Sequence, residues 1–435
     1  MVSHAPPRPR SRSRRLRWSA AGLAIGLVLA ACSDASSGTE VRSSASRAPM
    51  VRPATEAIVR ANSALGTELY HQLARQGGNF AFSPYAASIA LAQVGAGAAG
   101  VTTDQLDLVQ HVTDQHQLEV GLNTVMQQVD SRDGDRQNDV RQGHVTVQIP
   151  VALWGQLGTH VNQPFLTQLA RWFGTGMRLV DLRSDPQAAA TTMNSWMAGQ
   201  TSDQITQVVP PHQVTEATRL VSTTGVYLAA PWDQRFDVTR TRQSTFHQLD
   251  GHAEDATTMG ITSARGLLYA AGSGWKAAML PYLGRQLAMV LIVPDPGHFA
   301  QFESGFDGSQ LQTVLDALAP TPLDLDMPRF QFTSQVDLAG DVAALGAPTL
   351  FDPAQARLPG ITADEALWLA AVDQQSIISA DEEGTQASAP TAVRPQPATV
   401  PGTVTLTVDR PFVVAVVDRA SGEPLLLGRV VDPLS

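Results

Sequence analysis

Two short motifs in the chain have the residue types of known catalytic or cofactor sites. Ser273 and Lys276 have the S-x-x-K spacing with which a lysine can activate a serine for acyl transfer, but the S-D-N and K-T-G motifs that complete that active site are absent from the sequence. Gly95–Gly100 fits a dinucleotide-binding G-x-G-x-x-G pattern, which requires a preceding strand. The segment before it, Ser88–Val94, is alanine-rich and predicts a helix that ends in glycines. Neither motif supports catalysis, and we expect that the protein is not an enzyme.

The ionisable residues exclude two further classes of function. Ten histidines are scattered along the chain, and Cys32 is the single cysteine, so we expect no metal site, no other cofactor and no disulfide within one chain. The formal net charge is −10, and it becomes −16 once the six arginines of the N-terminal leader are removed. So acidic a protein is not expected to bind nucleic acid.

The N-terminal residues resemble a bacterial lipoprotein signal peptide. A run of arginines precedes a short apolar stretch, Trp18–Ala31, which is too short to span a bilayer. The stretch ends in Leu29-Ala30-Ala31-Cys32, which resembles a lipobox. We therefore predict a signal peptide over residues 1–31 and a lipid group on Cys32. The mature protein is expected at the outer face of the bacterial cell membrane, anchored by that lipid.

The rest of the chain is predicted to be one domain behind a tether. Residues 32–53 are rich in serine and alanine, which favours a flexible tether. Apolar residues recur at helical spacing from Ile58 to Leu73, and β-branched runs such as Ala288–Val293 predict strands further on. No change in composition divides residues 54–435, so we expect a single domain there.

A set of short motifs follows a fixed order along residues 54–435. The principal segments are Asn79-Phe80-Ala81-Phe82-Ser83-Pro84, Gly97-Ala98-Ala99-Gly100-Val101-Thr102, Asn194-Ser195-Trp196, Val226-Tyr227-Leu228-Ala229-Ala230-Pro231-Trp232, Leu280-Pro281-Tyr282, Met327-Pro328-Arg329-Phe330, Glu382-Glu383-Gly384-Thr385-Gln386-Ala387 and Leu406–Val416. Taken together and in this order, these motifs resemble those of the serpin family.

The resemblance implies an α+β fold with three β-sheets, eight to nine helices and an exposed reactive loop over about residues 384–402. In inhibitory serpins a serine protease cleaves this loop, which then inserts into the large sheet and traps the protease as a covalent acyl-enzyme. The resemblance therefore implies a monomeric protease inhibitor whose partner is a serine protease.

The resemblance also assigns the residues that would control insertion. The hinge of the loop corresponds to Glu382, Gly384, Thr385, Ala387 and Ala389. From Thr385 onward one face of an inserted strand would be small or apolar and the other more polar, which suits a strand packed on a core. The sheet-opening region corresponds to Ser83, Thr224, Trp232 and Gln374, with Ala86 and Gln374 replacing a serine and a histidine of the usual family pattern.

Two positions are predicted for the cleaved bond. Counting forward from Gly384 by the family spacing places it at Ala398–Thr399, whereas counting back from Pro411 places it after Val400. The Val400–Pro401 bond is a poor candidate, because proline after the cut blocks most serine proteases, so Ala398–Thr399 is the first choice and Thr399–Val400 the second. A small residue before the bond suits an elastase-like or subtilisin-like protease. Pro390 argues against insertion, because proline cannot donate to a central strand ladder. The alternative function is therefore a non-inhibitory, serpin-fold binding protein that presents a proline-rich loop.

Overall fold

The computed structural model describes residues 1–2, 38–51, 55–263, 266–385 and 402–435 of the chain. This part of the chain has nine α-helices and three β-sheets, which confirms the predicted α+β class. None of the helices within it is both long and apolar enough to cross a bilayer. The helices are α1 (Thr55–Ala74), α2 (Pro84–Gly95), α3 (Val101–Val109), α4 (Gln115–Asp130), α5 (Gln163–Gln168), α6 (Pro186–Gln200), α7 (Phe299–Ser304), α8 (Gly308–Ala317) and α9 (Ala339–Leu345), with a π-helical turn at Leu169–Phe173 and a 3-10 turn at Pro348–Phe351.

The largest sheet carries the predicted hinge. Its strands are β1 (Thr39–Val41), β3 (Gly134–Gln137), β4 (Gln142–Gln148), β5 (Val151–Gln156), β6 (Met177–Val180), β7 (Leu220–Pro231), β15 (Phe330–Asp337), β16 (Leu369–Ala380) and β17 (Gly384–Thr385). The main path runs β1-β6-β5-β7-β16-β15, while β4 and β17 also pair with β7 and β3 pairs with β4. Neighbouring β7 and β16 are parallel, whereas β5–β7 and β15–β16 are antiparallel. The β7–β16 junction, defined by these two parallel strands, lies at the centre of the sheet.

The other two sheets complete the core. The second contains, in spatial order, β13 (Ala319–Pro320), β10 (Leu268–Gly272), β11 (Trp275–Pro281), β12 (Leu287–Pro294), β19 (Phe412–Asp418), β20 (Pro424–Val430) and β2 (Phe80–Phe82). The third contains β18 (Val404–Thr407), β14 (Leu323–Pro328), β9 (Ala253–Ser263) and β8 (Asp237–His247). Every residue of β12 and β19 is buried, which explains why their sequences, apart from Asp418 at the end of β19, are continuous apolar runs rather than alternating ones.

Helix α2 lies in the interior and supports the large sheet from its inner side. Pro84 occupies the first turn, where a missing backbone N–H costs nothing, and the Ser83 side chain accepts from the N–H of Ala86. All of its residues are buried, and it packs against α1, β5, β7 and β20. Its small alanines allow this close approach on every side. The helix ends at Gly95, as the glycine-rich segment predicts.

The N-terminal segment is attached to the domain before the predicted boundary. We expected residues 32–53 to form a flexible tether, but within that span β1 pairs with the edge strand β6. Further along, the N–H of Ala48 donates to the carbonyl of Arg171 over 2.8 Å. The Arg47 Nε donates to the Oδ1 of buried Asn123 over 3.0 Å, and Arg47 also pairs with Asp130. These backbone and side-chain hydrogen bonds attach the segment to the domain even though it has few apolar residues to bury. The domain therefore begins before residue 54.

The attachment of this segment can be measured with a matched pair of arginine variants. Arg47→Met should lower the free energy of unfolding by about 1–3 kcal/mol, because it removes a charged hydrogen bond to a buried amide. Arg42→Met should change it by less than about 0.5 kcal/mol, because the Arg42 side chain is exposed and approaches Glu40 only to 4.0 Å. The two values come from chemical denaturation of the mature protein. Equal losses in both variants would contradict the attachment through Arg47.

Candidate functional site

The chain reverses direction directly after β16. The Asp381 carboxylate accepts the backbone N–H groups of Glu383 and Gly384 over 2.8 and 3.0 Å, which closes a tight turn. Gly384 and Thr385 then pair antiparallel with the end of β7 as β17. A Cβ at Gly384 would lie 2.2 Å from the carbonyl oxygen of Ala230, so only glycine permits this pairing. The first two residues of the predicted loop are thus already part of the large sheet.

Thr385 is anchored by a buried aromatic pair. Its side chain is fully buried, and its hydroxyl lies 2.7 Å from the hydroxyl of Tyr282. The Tyr282 ring stacks on Trp232 with ring centroids 4.7 Å apart and an interplanar angle of 6°. Burial raises the pKa of Tyr282 well above its usual value, so the phenol remains protonated and available for this hydrogen bond. The anchor holds the Thr385 side chain between the large sheet and the second sheet.

Trp232 and Glu382 fix the turn from two sides. The indole Nε1 of Trp232 donates to the carbonyl of Asp381 over 2.7 Å. Glu382 is nearly buried, and its carboxylate accepts from the Arg329 guanidinium and the Thr241 hydroxyl. Burial favours the neutral form of Glu382, but these two hydrogen bonds outweigh it and hold the pKa of the carboxyl below its usual range. Glu382 therefore remains an anion that ties the turn to β8 and to the β14–β15 connection.

A second acidic residue of the turn faces two arginines. The Glu383 carboxylate lies 3.0 Å from Arg235 and 3.7 Å from Arg141. Arg141 belongs to the turn between β3 and β4 and also donates to the carbonyl of Trp232 over 3.1 Å. The β3–β4 hairpin thus covers the top of the β7–β16 junction. Burial raises the pKa of Glu383, and the two arginines oppose that rise.

Three of the four predicted sheet-opening residues meet beneath the same junction, whereas Trp232 lies at the turn after β16. Ser83, Thr224 and Gln374 are all fully buried. The Gln374 Nε2 donates to the Thr224 hydroxyl over 2.9 Å and to the Ser83 carbonyl over 3.3 Å, and its Oε1 accepts the Ser83 N–H. One side chain of β16 therefore joins β7 to the start of α2. Ala86 contributes its backbone N–H to the Ser83 hydroxyl.

Several of the predicted residues lie outside the described ranges of the chain. They are Ala387, Ala389, Ala398, Thr399, Val400 and Cys32, together with Pro390. Residues that the sequence left without a role include Tyr282, Asp381 and Arg141. Tyr282 lies in a motif with family resemblance, so its position was visible in the sequence, whereas the partners of Arg141 depend on long-range contacts. Within the described ranges, no three His, Cys, Asp or Glu side chains are grouped so that they could hold a metal ion.

The geometry of the site is suited to accepting a strand. If β7 and β16 separate, each exposes a ladder of backbone donors and acceptors, and the chain that follows Thr385 begins at the head of that gap. The other end of this connection is fixed at β18, which pairs with β14 in the third sheet. The segment between β17 and β18 is thus fixed at one end to the large sheet and at the other end to the third sheet.

Comparisons with known proteins agree with this geometry. A family model described as serpin (serine protease inhibitor) matches residues 60–433. An uncharacterized serpin-like protein of Methanosarcina mazei is 28% identical over 391 residues, which cover 86% of this chain and 87% of that protein. Antithrombin-III of Mus musculus is 27% identical over 391 residues, which cover 86% of this chain and 82% of that protein. The crystal structure of a thermophilic serpin, tengpin, in its native state superposes with a TM-score of 0.80 at 18% identity and covers 91% of this chain and 100% of that one.

The Thr385–Tyr282 anchor predicts non-additive variants. Thr385→Val and Tyr282→Phe each remove one partner of a buried hydrogen bond and should each lower the free energy of unfolding by about 1–2 kcal/mol. The double variant should be no more than about 0.5 kcal/mol worse than the more damaging single one, because both changes remove the same bond. Denaturation midpoints of the four proteins give the coupling energy. Strictly additive losses would mean that the two hydroxyls do not interact.

Proposed function

The chain belongs to the serpin family, and from that premise we propose that it inhibits a serine protease by offering its own loop as a substrate. The observation that carries this proposal is the position of Gly384 and Thr385, which are paired with β7 at the head of the β7–β16 junction. From there residues 386–401 connect to β18, so a cut within them would leave a strand attached at the entrance to the large sheet.

The proposed reaction begins as ordinary proteolysis. The serine oxygen of the protease attacks the carbonyl carbon of Ala398, the Ala398–Thr399 bond breaks, and Thr399 departs as an amine that takes a proton from the protease. An ester then links the protease to Ala398, and water would normally hydrolyse it. Inhibition requires the loop to enter the β7–β16 junction first and to carry the ester away from the geometry in which hydrolysis occurs.

The sequence of the loop supports insertion along most of its length. Alternate residues from Thr385 are small or apolar on one side and more polar on the other, as a strand packed on a core requires. The residues around Ala398 suit an elastase-like or subtilisin-like protease, because the side chain before the cut is small. A trypsin-like protease is disfavoured, since Pro395 follows Arg394.

A second candidate function rests on Pro390. In a central strand this residue would remove one ladder donor, and proline in regular structure costs on the order of 3 kcal/mol. If that barrier slows insertion below ester hydrolysis, the protein is cleaved as a substrate without trapping the protease. The fold would then serve as a binding protein that presents a proline-rich loop.

We further propose that the mature protein is tethered to the outer face of the cell membrane through a lipid on Cys32. The leader of arginines followed by a short apolar stretch and Leu29-Ala30-Ala31-Cys32 supports this proposal. The inhibitor would then act on proteases that reach the cell surface.

Inhibition can be tested with an elastase-like protease and denaturing electrophoresis. The mature protein should give a band that survives SDS and has the summed mass of the protein and the protease. Mass spectrometry should show that the released peptide begins at Thr399. Thr385→Arg should be cleaved without forming that band, because an arginine cannot replace a fully buried threonine in the hinge. Pro390→Ala should increase the fraction of protease trapped.

Thr191→Arg is the matched control, because Thr191 is exposed on α6 and hydrogen-bonds only within its own helix. It should trap as much protease as the parent protein. Cleavage of the parent by several protease types, with the proteases left fully active, would favour the binding-protein function instead.

The lipid anchor predicts a change in cellular fractionation. The parent protein should sediment with membranes and dissolve in detergent, whereas Cys32→Ala should lose the lipid and leave that fraction. Intact-mass measurement of the purified parent should show an added diacylglyceryl group. An unmodified cysteine in a membrane-free mature protein would contradict the proposal.

A further inference from the structure

The outer face of the β7–β16 junction is covered by the linker, the connection between α6 and β7 that comprises residues 201–219. Ile205, Val208 and Val209 of the linker are buried with Val221 of β7 and Ala371 of β16. This apolar contact places the linker across both strands of the junction. A strand that enters the junction must therefore pass beneath the linker.

A side chain at the edge of the large sheet also holds the linker. The Gln335 Nε2 on β15 donates to the linker carbonyls of Gln207 and Val208 over 2.9 and 3.2 Å. These bonds involve no ionisable group and are independent of pH. They define one fastening point of the linker.

The second fastening point is an acidic pair bridged by an amide. Asp337 on β15 and Asp373 on β16 lie directly opposite each other in the antiparallel register. The Gln213 Nε2 of the linker donates to the Asp373 Oδ1 over 2.7 Å and approaches the Asp337 Oδ2 at 3.3 Å. Asp373 is only 1% exposed, so its carboxyl group is removed from water.

Two oxygen atoms at this point lack a hydrogen bond. The Asp373 Oδ2 and the Gln213 Oε1 are both buried, and neither has a partner among the described residues. Both are acceptors when Asp373 is ionised. A proton on the Asp373 Oδ2 would supply the missing donor, because a carboxylic acid and an amide can exchange two hydrogen bonds, N–H to Oδ1 and O–H to Oε1. The other oxygen of Asp337 already accepts the N–H groups of Ala339 and Val372, each over 3.0 Å.

We propose that Gln213 and protonated Asp373 form a latch, with Asp337 opposite, that holds the linker over the β7–β16 junction and opens when the proton is lost. Ionisation removes the O–H donor, leaves the Asp373 Oδ2 and the Gln213 Oε1 as two buried acceptors without a donor, and places two carboxylates opposite each other. The linker is then released at this point, and the path of an inserting strand is clear. The consequence for insertion rests on the proposed function, whereas the latch itself is a property of the native protein.

The charges around Asp373 are consistent with a latch that is closed at neutral pH. Burial and then the charge of Asp337 raise the pKa of Asp373 to about 8, while the bond from Gln213 lowers it. On α9, Asp341 lies near Asp337, and its own pKa is raised by burial and by that neighbour. On the linker, His212 and Glu216 are exposed and Arg219 pairs with Glu365.

The sign of the pH dependence follows from linkage. The folded protein keeps the Asp373 proton up to about pH 8, whereas the unfolded chain loses it near pH 4. This carboxyl therefore makes its greatest contribution to stability in acid and a smaller one as the pH rises from about 4 to about 8. Release of the linker follows the ionised fraction, which increases roughly tenfold between about pH 7 and about pH 9.

Hydrogen exchange of the native protein tests the latch without any protease. Exchange of the linker amides, divided by the intrinsic rate at each pH, should increase about tenfold between about pH 7 and about pH 9. Asp373→Asn should show no increase, because its amide donates to the Gln213 Oε1 at every pH. Gln213→Leu should exchange rapidly at both pH values. Asp203→Asn, which changes an exposed acid in the same linker, should behave as the parent protein.

Insertion is then measured separately, with a synthetic peptide of residues 385–396 added to the same four proteins. The rate of peptide uptake should follow the order of linker exchange. Exchange that is independent of pH in the parent, or unchanged by Asp373→Asn, would overturn the latch even if the peptide inserts. Exchange that follows the prediction while no peptide inserts would uphold the latch and contradict the proposed function.

Discussion

The hydrogen-bonded junction between parallel strands β7 and β16 is the constraint on which the rest of the structure depends. Backbone groups in the interior must be paired, so these two strands can separate only if another strand replaces the lost bonds. The turn at Asp381–Gly384 places Gly384 and Thr385 next to the junction, where they pair antiparallel with the end of β7. The same pairing that closes the sheet therefore defines the geometry that a new strand would adopt.

Directional polar contacts, rather than apolar packing alone, close this junction on three sides. Gln374 joins the strands from the inner face, Gln213 fastens the linker on the outer face, and Glu382 ties the turn at the top. Strands β12 and β19 of the second sheet also form a backbone ladder, and every one of their residues is buried. The β7–β16 junction differs in the polar side chains that fasten it, and a strand entering there would have to displace those contacts.

Much of this arrangement could be predicted from the sequence. Apolar runs identified central strands, the spacing from Ile58 to Leu73 identified α1, and the glycines near Gly97 marked the end of α2. Family resemblance indicated the region of the hinge and the group formed by Ser83, Thr224 and Gln374.

Features that depend on distant partners could not be predicted. The N-terminal segment has the composition of a tether, yet backbone pairing with β6 and the contact of Arg47 with Asn123 attach it to the domain. The opposition of Asp337 and Asp373 arises from strand register across 36 residues of sequence, and Gln213 reaches them from a different segment. A single sequence contains no local signal for such contacts.

The most direct test of the central claim is the thermal midpoint of the domain before and after one cut in the loop. The cut is made by a protease that the protein does not trap, so that no covalent complex interferes. If the loop enters the β7–β16 junction, the midpoint should rise by about 10 °C or more. The new strand pairing should add several kcal/mol to the free energy of unfolding, and each kcal/mol raises the midpoint by about 2–4 °C. An unchanged midpoint in a fully cleaved sample would mean that the junction does not accept the loop, which would contradict inhibition by strand insertion.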